Sequence, residues 1–447
     1  MEWIITIAYL ILFIVLINKW KFFTNSGLSK RLLVLFFLLK VIAGFALTYI
    51  YTYHYPNRFE ADIFKYFDDS APMYDALYSN PKDFIQLLTG FGLDNDHFFN
   101  EYFIKMNNWD RAYDSNVYND SHTVIRANAL IRIFSYGVFH VHTLVFCLLS
   151  FIGLVAIYRT AKKHVKNTPK LWIAACFLMP SILIWSSGVL KESILIFALG
   201  LLVFTLDKLM NANFSKKNIV LIIVSFVLLI YIKFYVLFSI IPAYFCFIIA
   251  KKYFRQTIYI YGISLIAFTT LAFNTQYLPR NTDFIEILVG KQKDFIRLSE
   301  WQHAQSGFEL TPMENSFWGV AKVVPEAILN CFVRPFPWHA KSPLYVGAVI
   351  ENILLLFFLF LAFWHLIQSK RFGKKILAEK SQLNLFLFCS VFVLILFTII
   401  GLTTPVAGAL VRYKIPALPY LMLGLLMILS QEKRVIPYVE KQLGRIL

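Results

Sequence analysis

The chain has 447 residues, of which 58% are hydrophobic, 17% aromatic and only 15% charged, where a soluble domain carries roughly a quarter charged. That composition excludes a water-soluble globular protein, and because the long apolar runs do not alternate, it also excludes an outer-membrane-type β-barrel. The net charge of +17 is not a nucleic-acid signature, because the basic residues flank apolar runs, where membrane topology and anionic lipid account for them.

A first membrane-spanning helix is predicted over 3–19. Met1-Glu-Trp-Ile offers neither a basic n-region nor a cleavage site, so this helix is read as retained, not as a signal peptide. Lys19, Lys21, Lys30 and Arg31 follow it and mark the cytoplasmic side, which places the N-terminus outside. A second helix, 32–52, returns outward and delivers a long polar loop, about 53–127. Between Tyr53 and Thr123 lie twelve of the 26 Asp and Glu residues and five of the 43 Lys and Arg. A loop of that length is functional or disordered. Here Phe64, Tyr66, Phe67, Tyr74, Leu77, Phe84, Leu87 and Leu88 recur at helical spacing, which predicts one or two amphipathic helices along the membrane surface.

A third span is expected over 138–158, followed by Arg159, Lys162, Lys163, Lys166 and Lys170. Leu171 to Leu206 reads as two half-spans around Pro180-Ser-Ile-Leu-Ile-Trp-Ser-Ser-Gly-Val-Leu-Lys-Glu-Ser193, with Lys191 and Glu192 at its centre. A second pair, 219–232 and 235–250, flanks Lys233. An eighth span covers 257–273. A second outer loop, 274–344, ends in Asn330-Cys-Phe-Val-Arg-Pro-Phe-Pro-Trp-His-Ala340. Spans over 345–367, 384–402 and 415–430 complete the chain, the last two joined by the outer turn Thr403 to Lys414 and the last leading into a basic tail. The expectation is a single transmembrane domain, 1–447, all-α and polytopic, with about eleven spans, N-terminus out and C-terminus in. The five cysteines form no CxxC or Cys/His cluster.

Three constellations can carry chemistry. The first is His54, Glu60, Asp62, Asp68 and Asp69. Such carboxylates bind a hard cation such as Mg²⁺ or Mn²⁺ through oxygen, act as general base on a hydroxyl, or are ordinary solvated loop acids. Asp62 stands out because it lies nearest the membrane end, in an apolar frame. The second is Lys191-Glu192. Charges inside an apolar run face a cavity or one another, so Lys191 either meets a phosphate beside Glu192 or the two form an internal ion pair. The third comprises cations at outer helix ends: Arg126, Lys233, Arg280, Arg334, Arg412 and Lys414. They either clamp phosphate or snorkel to headgroups. Beside Arg334, Trp338 anchors at the interface or stacks on a sugar, and His339 is a ligand or a structural histidine. In Asn119-Asp-Ser-His-Thr-Val-Ile-Arg-Ala-Asn128, Asp120 is predicted as a helix cap, His122 as a ligand or a structural residue, and Asn128 as a sugar contact.

The layout resembles integral-membrane GT-C glycosyltransferases, whose first long outer loop carries an acidic motif on surface helices. Asp62, in Ala-Asp-Ile-Phe-Lys-Tyr-Phe-Asp-Asp-Ser-Ala, matches their pattern of an Asp followed by a Tyr and then an Ala. Pro-Ser-Ile-Leu-Ile-Trp-Ser-Ser-Gly-Val-Leu-Lys-Glu, Arg-Pro-Phe-Pro-Trp and Val-Arg-Tyr-Lys are similar to segments of bacterial envelope-glycan membrane proteins, including relatives of surface-polysaccharide polymerases. One departure is an extra helix before the acidic loop. The resemblance implies a transferase at the outer face of a bacterial inner membrane, taking a sugar from a polyprenyl-phosphate or polyprenyl-diphosphate donor. The acceptor would be a lipid-linked glycan, a lipid or a protein. In that reading Asp62 is the base, or with His54 a metal ligand. Lys191, Arg334, Arg412, Arg126 and Lys414 hold the donor phosphate. Glu192, Glu60, Asp69, Trp338 and His339 support them. The alternatives are an oligosaccharide repeat-unit polymerase and a transporter or lipid-linked glycan flippase.

Overall fold

The computed structural model describes every residue except 55–56, 110–117, 166, 212–213, 278–282, 302–303, 305, 340–342, 372–375 and 378. Among the described residues the fold is helical throughout, with one isolated bridge between Gly307 and Val406. Among the described residues, eight helices are long and apolar enough to cross a membrane: Glu2–Lys19, Lys30–Tyr53, Phe139–His164, Lys191–Met210, Lys216–Lys252, Phe254–Phe273, Tyr345–Arg371 and Lys380–Thr403. The pair Ala407–Lys414 and Leu418–Leu429, bent by 66°, adds a ninth if it crosses as one.

The difference from eleven arises in definite places. Leu171 to Leu206 does not form two half-spans. Its first part is two short helices, Pro169–Phe177 and Pro180–Trp185, each opened by a proline, which needs no backbone donor at a first turn. Its second part is a full span, Lys191–Met210. The chain turns between them at Gly188, whose φ of +142° suits glycine, and at extended Leu190. Lys191 is therefore the first residue of a span and not the middle of a hairpin. The predicted pair around Lys233 is present as two helices that meet at a break at Lys233 (φ −154°, ψ 79°) within the run Lys216–Lys252, which counts as one of the eight. The turn expected between 403 and 414 contains the helix Ala407–Lys414.

The chain divides into two compact units. One comprises Met1–Ala112, Tyr118–Thr160 and Leu183–Lys233; the other comprises Tyr113–Val117, Ala161–Ile182 and Phe234–Leu447. In the first unit the acidic loop folds into short helices, Asp62–Asp68, Ser70–Ser79, Pro81–Thr89 and Asp96–Glu101. They bury Ile63, Phe64, Tyr66, Phe67, Met73 and Phe84, and the first two helices pack on Ser121–Ser135. In the second unit, Lys380–Thr403 is the hub, packed on Val324–Val333 and Leu418–Leu429.

Both units rely on glycine to bring helix backbones together, as helices in lipid commonly do. A Cβ on Gly153 would stand 2.2 Å from the Ile196 carbonyl oxygen, and one on Gly200 would stand 2.2 Å from that of Gly153. In the second unit, Gly401 meets the Ala327 carbonyl in the same way. Gly153→Leu and Gly200→Leu should therefore each destabilise by at least about 1–3 kcal/mol through overpacking, read as a lower unfolding temperature in detergent. Gly262→Leu, where nothing lies within 4 Å, should leave it unchanged.

Candidate functional site

The site in the first unit is built where three segments end. Ser121–Ser135 begins at Asp120, Lys191–Met210 begins at Lys191, and the first half of Lys216–Lys252 stops at Lys233. The Lys191 ammonium donates to one oxygen of Asp120 at 2.5 Å, and the Lys233 ammonium lies 3.1 Å from the other. Both lysine side chains are buried, while that of Asp120 retains 26% exposure. Burial alone would raise the Asp120 carboxyl, but the two ammonium groups and their hydrogen bonds outweigh it and hold the group far below the usual carboxylate range.

Local contacts explain why these ends meet. Thr123 donates to the Tyr231 carbonyl at 3.1 Å, and the Tyr118 ring packs on that of Tyr231 with centroids 5.1 Å apart. Asn119 donates to the carbonyls of Asn108 and Trp109, and His122 donates to the Trp109 carbonyl at 2.7 Å with its ring stacked on the indole. Asp69 closes this support. Its two oxygens accept the backbone N–H groups of Asn107 and Asn108 at 2.8 and 2.7 Å. Almost fully buried, it holds the strip that grips the residues on either side of Asp120.

Desolvation outweighs those two hydrogen bonds and pushes the Asp69 carboxyl up to about 6. A carboxyl raised on folding contributes stability below the unfolded pKa, ~4, and loses it as pH rises through the folded value. Stability should thus decline between pH ~4 and ~6. Asp69→Asn should flatten that slope. It should also cost about 1–3 kcal/mol, because an amide offers only one acceptor oxygen for two buried donors. Unfolding temperature against pH measures both effects.

The acidic motif reaches the cluster through Tyr66, whose ring centroid lies 5.3 Å from the Lys191 nitrogen. Asp62 opens the helix Asp62–Asp68, half-buried. Four residues separate it from Tyr66, so the two share a helix face. Glu192 is buried in the first turn of Lys191–Met210. Glu60 is exposed and accepts from Asn57, and Asp68 takes a two-pronged contact from Arg58 at 2.7 and 2.9 Å. Arg126 donates to the Leu87 carbonyl and the Tyr118 hydroxyl, each at 2.8 Å, so it braces the loop helices. The side chain of His54 lies outside the described residues, as do that of His339 and the whole of Arg280.

Two expectations are corrected here. Asp120 sits at the cap position, but its side chain caps nothing; two long-range ammonium groups compete successfully for the carboxylate. Asn128 is not presented to a sugar. It is fully buried, bonded to the Val124 carbonyl and to His142, which also meets Ser135.

Lys40, absent from the sequence candidates, lies fully buried in the span Lys30–His54 and donates to the carbonyl and hydroxyl of Ser186 at 2.9 and 2.8 Å. Ser150 donates to the same carbonyl at 2.6 Å. Together they fix the turn that leads to Lys191. A lysine inside an apolar run was the available signal.

Arg334, Arg412, Lys414 and Trp338 belong to the second unit. Lys414 is buried and donates to the carbonyls of Cys331 and Arg334 at 2.9 and 2.8 Å. Arg334 donates to Asn330 at 2.9 Å and lays its guanidinium 3.9 Å from the Phe308 ring centroid. Arg412 is half-buried on Ala407–Lys414, and Trp338 is exposed and stacked on Phe336. Among the described residues, no three His, Cys, Asp or Glu side chains gather as a metal site would require.

Fold and site define a polytopic α-helical membrane protein with a buried Lys–Asp–Lys cluster where its helices end. No protein-family model, curated protein or solved structure matches the chain.

Proposed function

We propose that the protein is a glycosyltransferase that takes a sugar from a polyprenyl-phosphate donor at the outer face of a bacterial inner membrane, in envelope-glycan or glycolipid assembly. The observation that carries this reading is the convergence of Lys191 and Lys233 on Asp120, beside the helix that bears Asp62. Lys191 opens a 20-residue helix, whose N-terminus favours an anion, and Lys233, at the break of another helix, adds a second ammonium group. A lipid phosphate reaches such a place from the bilayer, with its chain among the spans.

In this reading an acceptor hydroxyl attacks the anomeric carbon as the bond to the phosphate oxygen breaks. Asp62 takes the hydroxyl proton, and the polyprenyl phosphate departs with its developing charge held by Lys191 and Lys233. Asp120 keeps both ammonium groups charged and aimed. Direct displacement inverts the sugar. The acceptor is a lipid-linked glycan, a lipid or a protein. Asp62 as a base makes turnover insensitive to EDTA; loss of activity on chelation would move Asp62 to holding Mg²⁺ or Mn²⁺.

Purified protein in liposomes, given polyprenyl-phosphate sugars, should transfer sugar to a glycolipid acceptor. Asp62→Asn should lower turnover by about 10²–10⁴-fold, the span of a lost general base, with the unfolding temperature retained. Transfer unaffected by Asp62→Asn would remove Asp62 from the chemistry.

A further inference from the structure

The second unit holds a cavity of about 440 Å³ at the end of the span Thr257–Phe273, lined by Phe273, Asn274, Asp283, Ile285, Asn315, Ser316 and Phe317. That volume falls within the ~300–1,000 Å³ of small-molecule sites and far exceeds what a single ion needs. Its floor is firm. Ile285 belongs to a packed cluster with Leu288, Val289, Met313, Val320 and Val323, and Phe273 leans on the same cluster. Phe273 and Phe317 meet edge to face with centroids 4.9 Å apart.

The polar side chains are only partly spent on the fold. One Asp283 oxygen accepts the Ile285 N–H at 2.8 Å, leaving the second oxygen as an acceptor. Asn274 donates to the Thr270 carbonyl at 2.7 Å, leaving its amide oxygen. Ser316 accepts from Gly319 at 2.9 Å, leaving its hydroxyl proton to donate. Asn315, exposed at the rim, brings a donor and an acceptor together. Among the described residues that line it there is no lysine or arginine, and the Asp283 carboxylate would repel a phosphate or a carboxylate. An ammonium ligand would use the rings and the acceptors but leave the Ser316 and Asn315 donors idle. Neighbouring donors and acceptors beside apolar ring faces suit a ligand whose hydroxyl groups do both and whose C–H faces are apolar.

We infer that this cavity is a carbohydrate-binding subsite for a neutral mono- or disaccharide unit. It lies in a different unit from Asp120, Lys191 and Lys233, and the inference does not depend on the phosphate site.

The test is titration of the full-length protein in detergent with methyl glycosides of glucose, galactose, mannose and N-acetylglucosamine, with choline and inorganic phosphate as controls. At least one glycoside should bind saturably. Asn315→Ala and Phe317→Ala should each weaken it about tenfold or more, while Lys191→Met leaves it unchanged. Asn315→Ala is the decisive variant, because a rim residue can be changed without disturbing the Phe273–Phe317 contact. Binding of no glycoside, binding indifferent to Asn315→Ala, or binding of choline alone would each overturn the inference. Glycoside binding by a protein that ignores polyprenyl phosphate would keep this subsite and remove the proposed donor site; the opposite pattern would do the reverse.

Discussion

Asp120→Ala should cost the protein about 3–5 kcal/mol, the penalty for leaving buried charge without its counter-ion. Two ammonium groups would remain where one carboxylate had answered both. Asp120→Asn should do little better, since an amide supplies no charge and turns a donor toward one of the lysines. The loss should shrink when Lys233→Met is added, because one of the stranded charges goes with it. The pH behaviour follows from the sign of the shift. A carboxyl depressed on folding contributes stability above its unfolded pKa, ~3.9, and loses it only as pH falls through the folded value. The folded Asp120 value lies far below the usual range. Acidification from pH 7 to ~4 should therefore leave this contribution in place, while the Asp69 contribution grows over part of the same interval. Unfolding curves of Asp120→Ala and of the double variant, compared across that interval, check both statements.

Lys191→Met should abolish function more completely than it harms the fold. The methionine fills the space of the lysine stem against Tyr66, and Asp120 keeps Lys233 as its partner, so the structural cost should stay near that of an ordinary core change, about 1–3 kcal/mol. The leaving phosphate, however, would lose one of the two charges proposed to receive it. Removal of one preorganised donor of this kind costs roughly 10²–10³ in turnover. Lys233→Met should behave alike, and Lys191→Arg should recover part of the loss while shifting geometry, since a forked guanidinium does not place its charge where an ammonium does. Turnover of the liposome-embedded variants, set against their unfolding temperatures, separates the two effects. Equal losses in both would reduce Lys191 to a structural residue.

The spans were legible because length, apolarity and flanking lysines repeat the same message at each one: 3–19 against Glu2–Lys19, 257–273 against Thr257–Phe273, and 384–402 against Lys380–Thr403. Between Leu171 and Leu206, hydropathy cannot reveal that Gly188 turns the chain and hands a full-length span to Lys191. Lys191 and Lys233 stood out as charges costly to bury, which is a local property. Their partner did not. Asp120 before Ser-His-Thr-Val has the local look of a helix cap, and nothing nearby announces donors 71 and 113 positions away that its carboxylate would accept from instead. Lys40 carried the same local signal as Lys191, and its hold on Ser186 became visible only with the fold.

The most direct measurement is equilibrium binding of polyprenyl phosphate to the protein in nanodiscs, comparing the native chain with the triple variant Asp120→Leu, Lys191→Met, Lys233→Met. Replacing a complete buried ionic cluster with apolar side chains is often neutral or stabilising, so the triple variant should stay folded. It should also lose the lipid phosphate by about a hundredfold or more. A folded triple variant that binds polyprenyl phosphate as tightly as the native chain would contradict the account.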